Sequence, residues 1–203
     1  MSSTSASRSC RCARRRHDEF AVDLCRLHLV SEVQALEAYG LKTRAALRRL
    51  VAGSPYIETI TILGKHWTLE GPIQCWRPGD GDPNCGAISY RVIKRWRETP
   101  TTLMTCYRAT RRAHGVFGGQ RHRLSTSCAH HLGVSAVYYA LKRRSAEAGW
   151  QLEDGRFLPM RAKRPDAFLG DVLIDFAGHY SRERVRELIH RVAQDANREI
   201  QIW

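Results

Sequence analysis

The chain has 203 residues, 43% hydrophobic and 26% charged, which is enough for one large globular domain or two small ones. Its 33 Lys+Arg outweigh 20 Asp+Glu for a formal charge of +13, a balance that points to a polyanionic partner, most often nucleic acid. No apolar run reaches the roughly 18 residues of a membrane span, and no P-loop or G-x-G-x-x-G motif suggests a nucleotide-driven motor.

The first stretch, "MSSTSASRSCRCARRR", is rich in Ser and Arg and has no acid before Asp18. It lacks the apolar core of a secretory signal. Its composition also fits an organelle transit peptide, but the preferred reading is a disordered basic arm over residues 1–17 that touches phosphates. Seven cysteines, odd in number and scattered, read as reduced intracellular thiols without a disulfide framework.

Residues 18–70 read as three helices and a hairpin. Phe20, Leu24 and Leu27 recur at helical spacing in "HDEFAVDLCRLHLV". Ser31 with Gln34 three residues later forms a capping box, and the helix closes at Gly40. Thr43 caps a third helix, "TRAALRRLVAG", that buries Leu47, Leu50 and Val51 and stops at Gly53. Arg44 and Arg48 share its outer face. Two β-branched runs flanking Gly64-Lys65 predict a hairpin. This order is that of a winged helix-turn-helix, with the third helix in the major groove of double-stranded DNA and the hairpin as wing. Arg44, Arg48, Arg49 and Lys65 are its candidate DNA contacts. Arginine forks read guanine edges, and lysine mainly meets phosphate.

Residues 71–122 read as a basic middle region or linker. "GPIQCWRPGDGDPNCG" has the composition of a loop. "AISYRVIKRWRE" carries Ile88, Val92, Ile93 and Trp96 on one helical face, with Arg91, Lys94, Arg95 and Arg97 elsewhere. A solvated face and a second DNA contact explain these charges equally well.

From residue 123 the order reads αβββαβ. A helix spans "STSCAHHLGVSAVYYALKRR", with Leu132, Ala136, Val137, Ala140 and Leu141 inward. Three short strands follow, the last two joined at Gly170-Asp171. Ser181 caps a helix with Val185, Leu188, Ile189 and Val192 buried, and "REIQIW" is a final strand. A helical crossover makes that strand parallel to its neighbour, so an α+β chain with a mixed sheet is expected.

This order and Pro165-Asp166, followed nine residues later by Asp175, resemble the restriction-endonuclease-like, or PD-(D/E)XK, fold. The resemblance implies two carboxylates, Asp166 and Asp175, holding Mg²⁺ to polarise a scissile phosphate and activate water. The motif lysine two residues after the second acid is here Ala177. Lys163, His179 and Arg182 are the candidate replacements, Lys163 being the catalytic candidate beside the two acids. More specifically, "LSTSCAHHLGVSAVYYALKRR", "RPDAFL", "LIDFAGHYSRERVRELIH" and "IQIW" resemble the replication-relaxation family over most of residues 105–203, and more loosely over 18–70. That resemblance implies a cytoplasmic bacterial DNA-binding protein of a plasmid or integrative element. Its role would lie in replication, DNA relaxation or transfer, or their regulation. The nuclease-like domain over 123–203 would be degenerate, serving as scaffold, homodimer surface or second DNA grip. The alternatives are an Mg²⁺-dependent nuclease and a protein-protein adaptor or transcriptional regulator.

Other constellations are weaker. Cys10, Cys12, His17, Cys25 and His28 supply zinc-type donors at a spacing unlike a finger. The Asp80–Asn84 stretch starts like a calcium loop, but Cys85 and Arg91 stand where glycine and glutamate belong, so a turn is expected. Cys128 beside His130-His131 has no assignable oxyanion hole or orienting acid.

Overall fold

The computed structural model describes residues 4–119, 127–144, 147–152, 165–194 and 198–203. In chain order the elements are α1 (Thr4–Cys25), β1 (Val30–Ser31), α2 (Glu32–Ala38), α3 (Arg44–Val51), β2 (Ile57–Lys65), β3 (Gln74–Trp76), α4 (Cys85–Glu98) and β4 (Thr101–Ala109). Then come α5 (Arg111–Phe117), α6 (Cys128–Lys142), β5 (Trp150–Leu152), β6 (Ala167–Leu169), β7 (Val172–Asp175), α7 (Arg182–Ala193) and β8 (Glu199–Ile202). The described residues thus form a mixed α+β chain with two sheets, one of them mixed. No described helix is long and apolar enough to cross a membrane.

The chain forms two compact units, Met1–Leu63 with Leu103–Cys128, and Gly64–Thr102 with Ala129–Trp203. The middle region expected over 71–122 is therefore shared between them rather than standing as a linker.

In the first unit α1 begins at Thr4, inside the stretch expected to be a disordered arm. Phe20, Leu24 and Leu27 are buried as their spacing predicts, Phe20 meeting the rings of Tyr39 and Tyr107 edge-on. Ser31 and Gln34 form the reciprocal capping box, and Thr43 accepts from Ala46 N to cap α3. Leu47 is fully buried, while Leu50 and Val51 are half-buried. The sheet order is β1-β4-β2, with β1 antiparallel to β4. Glu58 and Arg108 join β2 to β4 through two hydrogen bonds, at 2.7 and 2.9 Å.

The expected hairpin at Gly64-Lys65 is not formed. β2 continues through both residues, and its partner is β4, more than thirty residues on. A two-residue hairpin turn needs positive φ, and Gly64 is not among the glycines that adopt it.

In the second unit the sheet order is β3-β8-β7-β6-β5. β5, β6 and β7 form an antiparallel meander, turning between β6 and β7 at Gly170 with φ 59°. α7 then carries the chain over, so that β8 lies parallel to β7, Leu173 opposite Ile200. β3, in a stretch that reads as loop, closes the other edge antiparallel to β8. One core joins α4 and α7 to the sheet through Ile88, Val92, Val185, Leu188, Ile200 and Ile202. α6 is buried continuously from Leu132 to Leu141, as a helix apolar all round must be. It approaches closely because Gly133 has no side chain: a Cβ there would lie 2.1 Å from a ring carbon of Phe176.

Candidate functional site

α3 keeps three arginines at the surface. Arg44 reaches Glu32 of α2 at 3.0 Å and stays 69% exposed, whereas Glu32 is 9% exposed. Arg49 Nε donates to its own helix at Ala45 O, 3.3 Å away. Arg48 and Arg49 are exposed and form no ion pair among the described residues. Burial, then Glu32, raises the pKa of the Tyr107 hydroxyl above its ordinary value, and Arg48 offsets part of the rise. Exposed Arg111 and Arg112 of α5 belong to the same unit, in a stretch that carries no acid between Glu98 and Glu147.

Lys65 has no wing to sit on. Its Nζ donates to the Thr99 carbonyl and lies 5.6 Å over the Trp96 ring. It holds the end of α4 within the second unit rather than projecting toward a phosphate.

The carboxylates gather in the second unit. Asp166 N donates to Ile174 O at 2.9 Å, one step beyond the Ala167–Ile174 pair, so Asp166 stands across from Asp175. Asp166 Oδ1 meets His130 Nε2 at 2.8 Å, and Oδ2 accepts from Phe176 N at 2.7 Å. Asp175 is fully buried and is hydrogen-bonded to the Tyr180 hydroxyl. Burial first, then Asp175 and Asp166, push that hydroxyl well above the usual tyrosine range. The group therefore consists of two carboxylates, an imidazole and a protonated phenol. It can lock β6, β7 and α6 together, and it can keep Tyr180 neutral. It does not make Tyr180 a nucleophile, which would require the opposite shift.

The donor set does not suit Mg²⁺. Both oxygens of Asp166 are engaged by protein donors, Asp175 is sealed from solvent, and a hard divalent ion wants several open oxygens and water. No three His, Cys, Asp or Glu side chains among the described residues form a ligand group. Ala177, at the motif-lysine position, is fully buried, its methyl packed in the core with α7. Lys163 lies outside the described residues. His179 and Arg182 are exposed.

Arg95 is the cation that sequence reasoning misplaced. It was expected on a polar face, but it turns inward. It donates to Ala177 O at 3.0 Å and Trp203 O at 2.7 Å, and it lies 4.8 Å over Phe176 and 5.8 Å over Trp67. Burial, then neighbouring Arg91, lowers its pKa to about 10. His130 was missed as a partner of Asp166, because the two are 36 residues apart and share no local pattern.

The remaining candidates resolve simply. His17 is bonded to Asp18 and to Ser54 Oγ at 2.7 Å. Cys25 is buried, which raises its thiol to about 11 and opposes the thiolate that zinc requires. His28 lies beyond the end of α1, and nothing is described of the Cys10 and Cys12 side chains. Asp80 accepts from Arg77 N, and Asn84 caps α4, so the calcium-like stretch works as a turn and a cap. No family model, curated protein or solved structure matches the chain.

Proposed function

We propose that the protein binds double-stranded DNA through α3. The observation that carries this reading is a helix–strand–helix–helix–strand–strand order, with sheet order β1-β4-β2 and exposed arginines on the third helix. That is the order of a winged helix-turn-helix, here with residues 66–100 inserted between the two long strands in place of a short wing. α3 is the helix such a module lays in the major groove. Arg48 and Arg49 are its direct contacts, and Arg44 is a rim contact steered by Glu32. The net charge of +13 supports salt-sensitive attraction to phosphate. The carboxylate group of the second unit is a structural lock in this reading. The resemblance to the replication-relaxation family supplies the setting, a plasmid or integrative element.

Fluorescence anisotropy on labelled duplexes tests the proposal. Arg48→Glu should weaken binding more than tenfold, and Arg49→Ala should reduce the log–log salt slope by about 1 if it meets a phosphate. Unchanged affinity in Arg48→Glu would remove α3 from the groove. A second assay addresses cleavage. Supercoiled plasmid in Mg²⁺ or Mn²⁺ should give a shift that disappears on deproteinisation, equal for wild type and Asp175→Ala. Nicking by wild type alone would restore the nuclease reading.

A further inference from the structure

A cleft of about 440 Å³ opens within the second unit, between α7 and the loop that leads into α4. Arg182, Arg186 and His190 line it, four residues apart along α7, so each stands roughly one 5.4 Å turn from the next. Arg182 and Arg186 are exposed, and neither forms an ion pair among the described residues. Glu187 pairs with Arg184 at 3.8 Å, and Glu183, whose carboxyl its own backbone N–H and Ser181 hold below the ordinary range, is lowered further by Arg186 and Arg182. α7 thus carries four arginines against two acids, and the cleft opens beside Arg182 and Arg186. Trp76 and Ile189 give the cleft an apolar lining, the indole Nε1 being tied to Gly81 O at 2.8 Å. The opposite wall holds Asp82, the only carboxylate in the lining.

We infer that this cleft is a binding site for one nucleotide unit, free or carried in a single strand, with Arg182 and Arg186 on its phosphate. Its volume is that of a small-ligand site and is too small to admit a duplex. The parts match the parts of a nucleotide. Two guanidinium groups meet phosphate oxygens in fork geometry, the edges of the largely buried Trp76 and Ile189 form an apolar floor under the sugar or base, and Asp82 accepts from a base amine or a sugar hydroxyl. The site is independent of α3, and it would survive failure of the duplex-binding proposal.

The test uses the full chain and a fluorescein-labelled oligo(dT) followed by anisotropy, with unlabelled nucleoside 5′-monophosphates as competitors. Arg182→Glu/Arg186→Glu should lower oligo(dT) affinity more than tenfold at unchanged melting temperature, with duplex affinity intact. Arg48→Glu should show the reverse pattern. Competition by mononucleotides that the double variant abolishes would assign the site to a free nucleotide. No competition, with the double variant still defective, would assign it to a strand. Equal oligo(dT) binding by wild type and the double variant, with no mononucleotide binding, would overturn the inference. A weaker variant, Arg186→Ala, should fall between the two and guards against damage to α7.

Discussion

Arg48 in the first unit and Arg95 in the second begin as the same side chain on the same kind of helix. Arg48 stands in water on a short amphipathic helix with one fully buried residue, Leu47. Arg95 lies under two aromatic rings and donates to two main-chain oxygens where β7 and β8 end. The acids differ in the same way. Glu32 lends its charge to a surface arginine, whereas Asp175 is enclosed with Tyr180. A charged group therefore gains a role from its surroundings. At the surface it is available to a partner, and inside it orders the backbone and side chains around it. The first unit keeps its α3 and α5 arginines exposed to solvent. The second uses several of its charges for its own cohesion and keeps Arg182 and Arg186 exposed beside the α7 cleft.

The strongest way to break this contrast is through Phe176, which contacts Gly133, Arg95, Trp67 and His130 together. Phe176→Ala should cost about 3–5 kcal/mol in urea denaturation. A loss below about 1 kcal/mol would mean that the cluster does not hold the second unit. Gly133→Ala is next. Alanine suits a helix better than glycine by about 1 kcal/mol, yet the added methyl would overlap the Phe176 ring. A net loss of about 1–3 kcal/mol is expected, and the same change in a Phe176→Ala background should turn stabilising. A sign that does not change would reject the packing account.

The first unit offers a pH test. Burial raises Cys25 to about 11 and Cys106 to about 12, from an ordinary 9.0. The folded state keeps protons that the unfolded chain releases near 9. The thiols' contribution is therefore whole below that pH and is lost as pH rises through 11 to 12. The urea midpoint should fall more for wild type than for Cys25→Ala/Cys106→Ala between pH 8 and 10.5. Parallel curves would show that these thiols are not shielded. The smallest effect is at the capping box, where Ser31→Ala should cost about 1 kcal/mol, read as a lower melting temperature.

Local chemistry made much of this legible. The Ser31–Gln34 box, the Thr43 and Ser181 caps, the buried stripe of α7 and the parallel return of β8 all follow from short-range pattern, and each appears. The hairpin at Gly64-Lys65 does not, because composition favours a turn without stating whether φ will be positive. β3 was hidden by its Pro and Gly neighbours, and it exists because β8 offers an unpaired edge.

The sequence by itself determined the caps at Ser31, Thr43 and Ser181, the apolar stripe of α7, the excess of positive charge and the absence of a lysine at position 177, since all are properties of neighbouring residues. Only the tertiary structure decided that β2 pairs with β4, that Arg95 turns inward, that Asp166 takes His130, and that Arg182 and Arg186 line a cleft with Trp76. These pairings join residues far apart in the chain. Burial and hydrogen-bond satisfaction across the whole fold select them, and no local spacing encodes them.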